Sequence, residues 1–313
     1  MSLRVIRPAF ETVEAVFPKL VSSDFAESVD GTVWSNVTAY AVGQRAYISG
    51  SVHKLYECLV AHTDKYPPSN VEGATTGTIY WAEVSYTNTY RMFDTVNSSV
   101  STATGPANKV VVFDPGRISA LFLGNMAGIN SVDVVMTSGA TTVYNKSYDL
   151  TVKNVFNWYD FWFAPILLQQ ALAIFDLPPY ANGRVTLTFH GAGTMTLGTL
   201  QCGMFSQIGE VQWQPEVRHL DYSTYKPDPY GNVKITARLP AKVITAKVFV
   251  PFASGGFDEV NRQMEDLTGS VVVWSFLGDK YPSLNALGFK NDFTHVLDNS
   301  AGSLFNLKVQ ALI

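Results

Sequence analysis

The chain of 313 residues is 47% hydrophobic but only 15% charged, against a usual charged share of ~25%. Its 22 Lys and Arg against 26 Asp and Glu leave a net charge of -4, which lacks the basic footprint of a nucleic-acid or anionic-membrane binder. No run approaches the ~20 apolar residues of a membrane span, and MSLRVIRPAF has charges and a proline where a secretory signal needs an apolar core. The expectation is a soluble chain made in a cytoplasm, without membrane insertion. Its large neutral polar surfaces suit subunits packed side by side, or neutral sugars.

The length predicts several domains at ~100–200 residues each, and the predicted elements are mainly β. Residues 1–33 read as an N-terminal arm that docks on neighbours, with at most one short helix near Val13–Val16 and a turn at Asp30–Gly31. Residues 34–92 read as a small aromatic β-module. Strands Ala46–Ser49 and Lys54–Val60 meet at a Gly50–Ser51 turn, and Asp64–Gly77, with Pro67–Pro68, is a loop. So small a module has a thin core, and its rings must supply most of the burial.

Residues 93–210 predict a jelly-roll-like β-sandwich. Strands are expected at Lys109–Phe113, Ile118–Leu123, Ser131–Thr137, Thr141–Asp149 and Arg184–His190, with one or two more across Thr194–Phe205. Within it, residues 155–175 read as a strand and loop followed by a helix at Pro165–Ala173. Residues 211–313 predict a C-terminal α+β domain. Its strands are Val233–Arg238, Lys242–Val250, Ser270–Phe276 and Leu304–Ala311, and its crossover helix Gly256–Gly269 places Phe257, Val260, Met264 and Leu267 at helical spacing.

Catalytic chemistry leaves little trace. The histidines His53, His62, His190, His219 and His295 form no HExxH and no pair three or four residues apart. There is no GxSxG, no P-loop and no GxGxxG after a strand, and Asp160 has no second carboxylate nearby. No catalytic residue, metal or cofactor is therefore expected, and the chain reads as a non-enzyme. Cys58 and Cys202, without a CxxC, read as buried free thiols.

The aromatic residues are the positive signal. Trp34, Tyr56, Tyr80 and Trp81, with Tyr40, offer flat faces for a neutral sugar, and equally the core of a small module. Adjacent in a strand, Tyr80 and Trp81 would point to opposite faces. The second cluster, Trp158, Tyr159, Phe161, Trp162 and Phe163, is too dense for one small sheet to bury, and part of it is expected at a subunit interface.

Two resemblances follow. Trp34, Tyr40 and Gly43, then Leu55–Tyr56–Glu57–Cys58, Pro67–Pro68 and Tyr80–Trp81, resemble the small chitin- and cellulose-binding modules of bacterial chitinases; Ala46 stands where that pattern has valine. The continuation Thr87–Asn88–Thr89–Tyr90–Arg91–Met92–Phe93–Asp94, with Pro115–Gly116–Arg117 and Asp228–Pro229–Tyr230–Gly231–Asn232, resembles tail or baseplate proteins of long-tailed bacteriophages. That resemblance implies a structural protein of the virion, a homo-oligomer among other tail subunits, with host cell-surface glycan as a further contact. A glycan-binding adhesin or receptor-binding protein is the alternative, and a polysaccharide depolymerase stands behind it.

Overall fold

The computed structural model describes residues 2–312 except 75–76, 97, 153–154, 166, 229, 239, 253–255, 278–280 and 300. The chain is mainly β, as its predicted elements require. Six antiparallel strands close into a barrel: Ser2–Pro8, Val272–Ser275, Asn285–Asn299, Gly302–Ala311, Ala241–Pro251 and the second half of Met195–Val211. The ring closes where Glu210 and Val211 pair with Phe249 and Val248, while Ser2–Pro8 lies along the other edge of Met195–Val211. Closure leaves this ring without an unpaired edge.

The barrel interior is built from Leu3, Val5, Ile208, Val248, Val250, Trp274, Phe305 and Leu307. Helix Gly256–Asp266 adds Val260 and Met264 to that core, with Leu267 just beyond it, and Gly269 at φ 74 turns the chain away. The spacing of these apolar residues is the one the sequence shows, so the helix is legible before its partner is. The strand Asn285–Asn299 was not anticipated; its run GFKNDFTH mixes charge with apolar residues and bulges against Gly302–Ala311 at Lys290/Asp292. A bulge interrupts the period-two pattern by which a strand is recognised.

The first half of Met195–Val211 belongs to another layer. It pairs with Ala120–Ala127 and Ser101–Ala103, and Ala120–Ala127 pairs with Ala171–Ile174. A five-stranded sheet, in the order Thr141–Asp149, Ser131–Ser138, Gly183–His190, Lys109–Phe113 and Leu20–Ser23, shares one buried core with this layer. Val132, Val134 and Met136 alternate with the half-buried Asp133, Val135 and Thr137 and face the same core as Val185, Leu187 and Phe189 on the neighbouring strand. Each such side chain contributes about 1.5–3 kcal/mol by leaving water. The strand of 17 residues from Met195 to Val211 thus runs through both layers and across position 210. Gly203 sits at the crossing, where an added Cβ would lie 1.8 Å from the Arg7 carbonyl oxygen.

Three expectations are corrected here. The first 33 residues are an integral part of their own chain's sheets rather than an extended arm: Ser2–Pro8 is a barrel strand and Leu20–Ser23 an edge of the five-stranded sheet. Alternating Leu3 and Val5 earn that place by being wholly buried. The helix expected at Pro165–Ala173 lies earlier, at Trp158–Phe163, and Ala171–Ile174 is a strand. Ala164, which precedes Pro165, is extended at ψ 135, as the proline ring demands, and this stops the helix. Finally, the strand expected at Val233–Arg238 is shorter, Val233–Thr236, and it pairs with Thr224–Pro227; Leu239 lies outside the described residues.

Candidate interaction surface

Helix Trp158–Phe163 is short, and its start is well made. The Asn157 side-chain oxygen accepts from the Asp160 backbone N–H at 2.8 Å, and the Asp160 carboxylate accepts from the Phe156 N–H at 3.2 Å. The first bond satisfies an amide that the helix start leaves open, and the second ties Asp160 back to the residue ahead of the cap. It assigns Asp160 a capping role. Around this cap the rings are uncovered: Trp158 is 75% exposed, Tyr159 69%, Phe161 53%, Trp162 65% and Phe163 69%, with Phe156 at 88%.

These rings touch chiefly one another. Trp158 stacks on Phe161 with centroids 5.5 Å apart and meets Trp162 edge-on at 6.1 Å, while Tyr159 lies 4.7 Å from Phe163. The contacts are the three- and four-residue neighbours that a helix brings together. Together the rings form an exposed apolar patch, a feature that soluble monomers seldom leave uncovered. All five residues singled out for an interface therefore lie side by side on one exposed helix.

The module rings have the opposite fate. Trp81 is 0% exposed, donates its indole N–H to the Lys65 carbonyl at 2.8 Å, and packs edge-on against Tyr40 at 5.0 Å and His62 at 4.8 Å. Tyr56 is also in the core, and burial raises its phenol pKa far above the ordinary value. Trp34 is half-buried, edge-on to Tyr66 at 5.1 Å. Tyr80 is half-buried one residue ahead of strand Trp81–Tyr86, with the Lys65 ammonium 5.3 Å from its ring centre. The four residues named for a sugar platform are gathered in one module, but two of them, Trp81 and Tyr56, are inside it.

The segment Thr87–Asp94 is a buried polar knot. The Asn88 amide donates to the Ala26 and Thr102 carbonyls at 3.0 and 2.8 Å, and its oxygen accepts from the Thr102 N–H at 2.7 Å. The Asn88 N–H reaches Asp30, which also holds the Arg91 guanidinium. Glu27 accepts from Thr87 Oγ1 at 2.6 Å and meets the His53 ring at the same distance. Asp94 is 6% exposed, and burial pushes its carboxyl up to about 6. The knot ties the module to residues 24–30 and 101–102, which gives this stretch a structural reason for its composition.

The thiols of Cys58 and Cys202 are free and buried, and burial raises both, Cys202 to about 12. His190 pairs with Asp133 at 2.7 Å, and His295 sits between Asn261 and Ser303, each at 2.8 Å. Among the described residues no group of three or more His, Cys, Asp or Glu side chains is placed to hold a metal, and no helix is long and apolar enough to cross a membrane.

A second exposed feature escaped the sequence reading. Hairpin Thr224–Pro227/Val233–Thr236 has Tyr225, Val233 and Ile235 at 60%, 58% and 60% exposure, with Tyr230 in the turn still more open. The strand 233–236 was visible, but its exposure was not. No protein-family model matches the chain, and no curated protein matches it.

Proposed function

We propose that this chain is a structural subunit of a phage tail tip or baseplate, joined there to other tail subunits and to copies of itself. The observation that carries the assembly reading is the row of uncovered rings on helix Trp158–Phe163. Covering them contributes about 1.5–3 kcal/mol per ring, enough for a few rings to dominate an interface. The scarcity of charge, 15% of residues, favours the same use, since few ions need be stripped of water when such surfaces meet. The particle itself is taken from the resemblance of Thr87–Asp94 and Asp228–Asn232 to tail proteins.

In this reading residues 34–92 are a small aromatic module, 93–210 a β-sandwich, and 211–313 a C-terminal domain completed by Ser2–Pro8 and the end of Met195–Val211. Contact with host glycan is a lesser part of the proposal, because two of the four rings available to it are buried.

The test is a mass measurement on the purified chain, alone and mixed with tail particles lacking it, for wild type and Trp158→Ala/Trp162→Ala. Wild type is expected to form a defined oligomer or enter the particle, and the variant to lose at least ten-fold in affinity. A wild type that stays monomeric and enters no particle ends the proposal.

A further inference from the structure

The hairpin Thr224–Pro227/Val233–Thr236 is built for a partner on both faces. Its register sets Tyr225 opposite Ile235, Lys226 opposite Lys234 and Pro227 opposite Val233. Successive residues of a strand point to opposite sides. One face is therefore Tyr225, Pro227, Val233 and Ile235, and the other is Thr224, Lys226, Lys234 and Thr236. The apolar face lies in water. On the other face two like charges stand directly across from each other, a destabilising pairing. A two-stranded hairpin with neither face covered is marginal in water.

The turn is nonetheless defined. Asp228 accepts from the N–H groups of Tyr230 and Asn232, both at 2.9 Å, and Gly231 takes φ 87. The sequence thus invests in presenting an amphipathic, cationic hairpin that it does not cover.

The same chain carries a matching receptor. A cavity of about 780 Å³ opens where residues 7–14, 83–86, 93–96 and 266–272 meet, with Ser99 beside them. Glu11, Glu14, Glu83, Asp94 and Asp266 line it, with Arg7 as the cation of the lining. Glu83 is held by Lys54 at 2.8 Å and Glu14 accepts from the Tyr86 hydroxyl at 2.7 Å, while Glu11 and Asp266 are exposed carboxylates. Its rim is apolar as well, with Val84 and Val96 open to solvent. No hairpin residue is among those lining it, so the two surfaces are complementary but separate in one molecule.

We propose that the hairpin 224–236 of one copy docks into the acidic cavity of a second copy of this chain, Lys226 and Lys234 toward the carboxylates and Tyr225 and Ile235 against the apolar rim. Charge complementarity and the matching apolar edges choose the occupant. The contact joins two different surfaces, so it is head-to-tail and propagates into a ring or a stack. The inference rests on the assembly reading above and names the contact that closes it.

The experiment is sedimentation of the full-length chain at low and high salt, with circular dichroism as a check on folding. Lys226→Glu/Lys234→Glu and, separately, Glu11→Lys/Asp266→Lys are each expected to weaken self-association at least ten-fold. All four sites are exposed, so the fold is retained. Combining the four substitutions is expected to restore association, and salt to weaken the wild type. Unchanged association in either charge-reversed pair, or no recovery in the combination, overturns the docking and leaves the assembly reading standing. A wild type that joins tail particles but never itself also overturns the docking alone. A wild type that does neither ends both.

Discussion

The module around Trp81 and the helix at Trp158 are the two densest aromatic stretches of this chain, and the fold treats them oppositely. Trp81 is wholly enclosed and its indole N–H has the Lys65 carbonyl to bond. Trp158 is three-quarters exposed on a helix with no buried residue. The ring chemistry is shared; the surroundings differ. Strands Arg45–Ile48, Lys54–Cys58 and Trp81–Tyr86 form a sheet that rings can close over, whereas Trp158–Phe163 is six residues of helix stopped by a proline. An aromatic cluster is a core where the chain folds back on it, and a surface for others where it does not.

Substitution separates the two most sharply. Trp81→Ala is expected to cost about 3–5 kcal/mol, read as a large fall in the denaturant midpoint with loss of the near-ultraviolet signal of the module. A cost below about 1 kcal/mol would mean that the module does not depend on this ring, and the contrast with Trp158 would collapse.

The module is held by its junction as well as by its rings. Asn88→Ala strands several buried partners and is expected to cost about 2–3 kcal/mol. Hydrogen exchange should show the loss concentrated in residues 81–102, and uniform exchange across the chain would deny the knot its tying role.

Asp94, at the end of the same knot, gives a pH signature. Burial raises its carboxyl from an ordinary 3.8 to about 6. The folded state then holds the proton more tightly than the unfolded chain. The contribution is full below about pH 4, falls as pH rises through about 6, and is flat above. The change is on the order of 2–3 kcal/mol. Asp94→Asn should remove this component, so the wild-type minus variant difference in unfolding free energy should decline with rising pH across that window. A difference that rises instead would mean that Asp94 is charged and paired in the fold.

The smallest effect belongs to the exposed rings. Trp158→Ala/Trp162→Ala should change the stability of the isolated monomer by no more than about 0.5 kcal/mol, while weakening the association described above at least ten-fold. If thermal unfolding of the monomer drops by several degrees, the helix is packed on its own chain in solution, and the contrast with Trp81 disappears.

Much of this fold is written locally. The strands Lys109–Phe113, Ser131–Ser138, Thr141–Asp149 and Gly183–His190 follow from period-two alternation and glycine-bearing turns, and the helix from Gly256 follows from Val260, Met264 and Leu267. That part of the Trp158 cluster would stay uncovered was legible too, because five rings in six residues exceed what one small sheet can bury; that a helix carries them was not. What sequence could not assign was partnership. Ser2–Pro8 is a barrel strand only because residues 203–210 and 273–275 lie on either side of it. Trp81 is core rather than platform because residues distant in sequence enclose it. Lys226 and Lys234 of the hairpin stand exposed on one face, a placement that only the pairing of their two strands decides. Alternation, turns and caps are set by neighbours within a few residues. Pairing across hundreds of residues, and the burial that comes with it, exists only once the chain has closed.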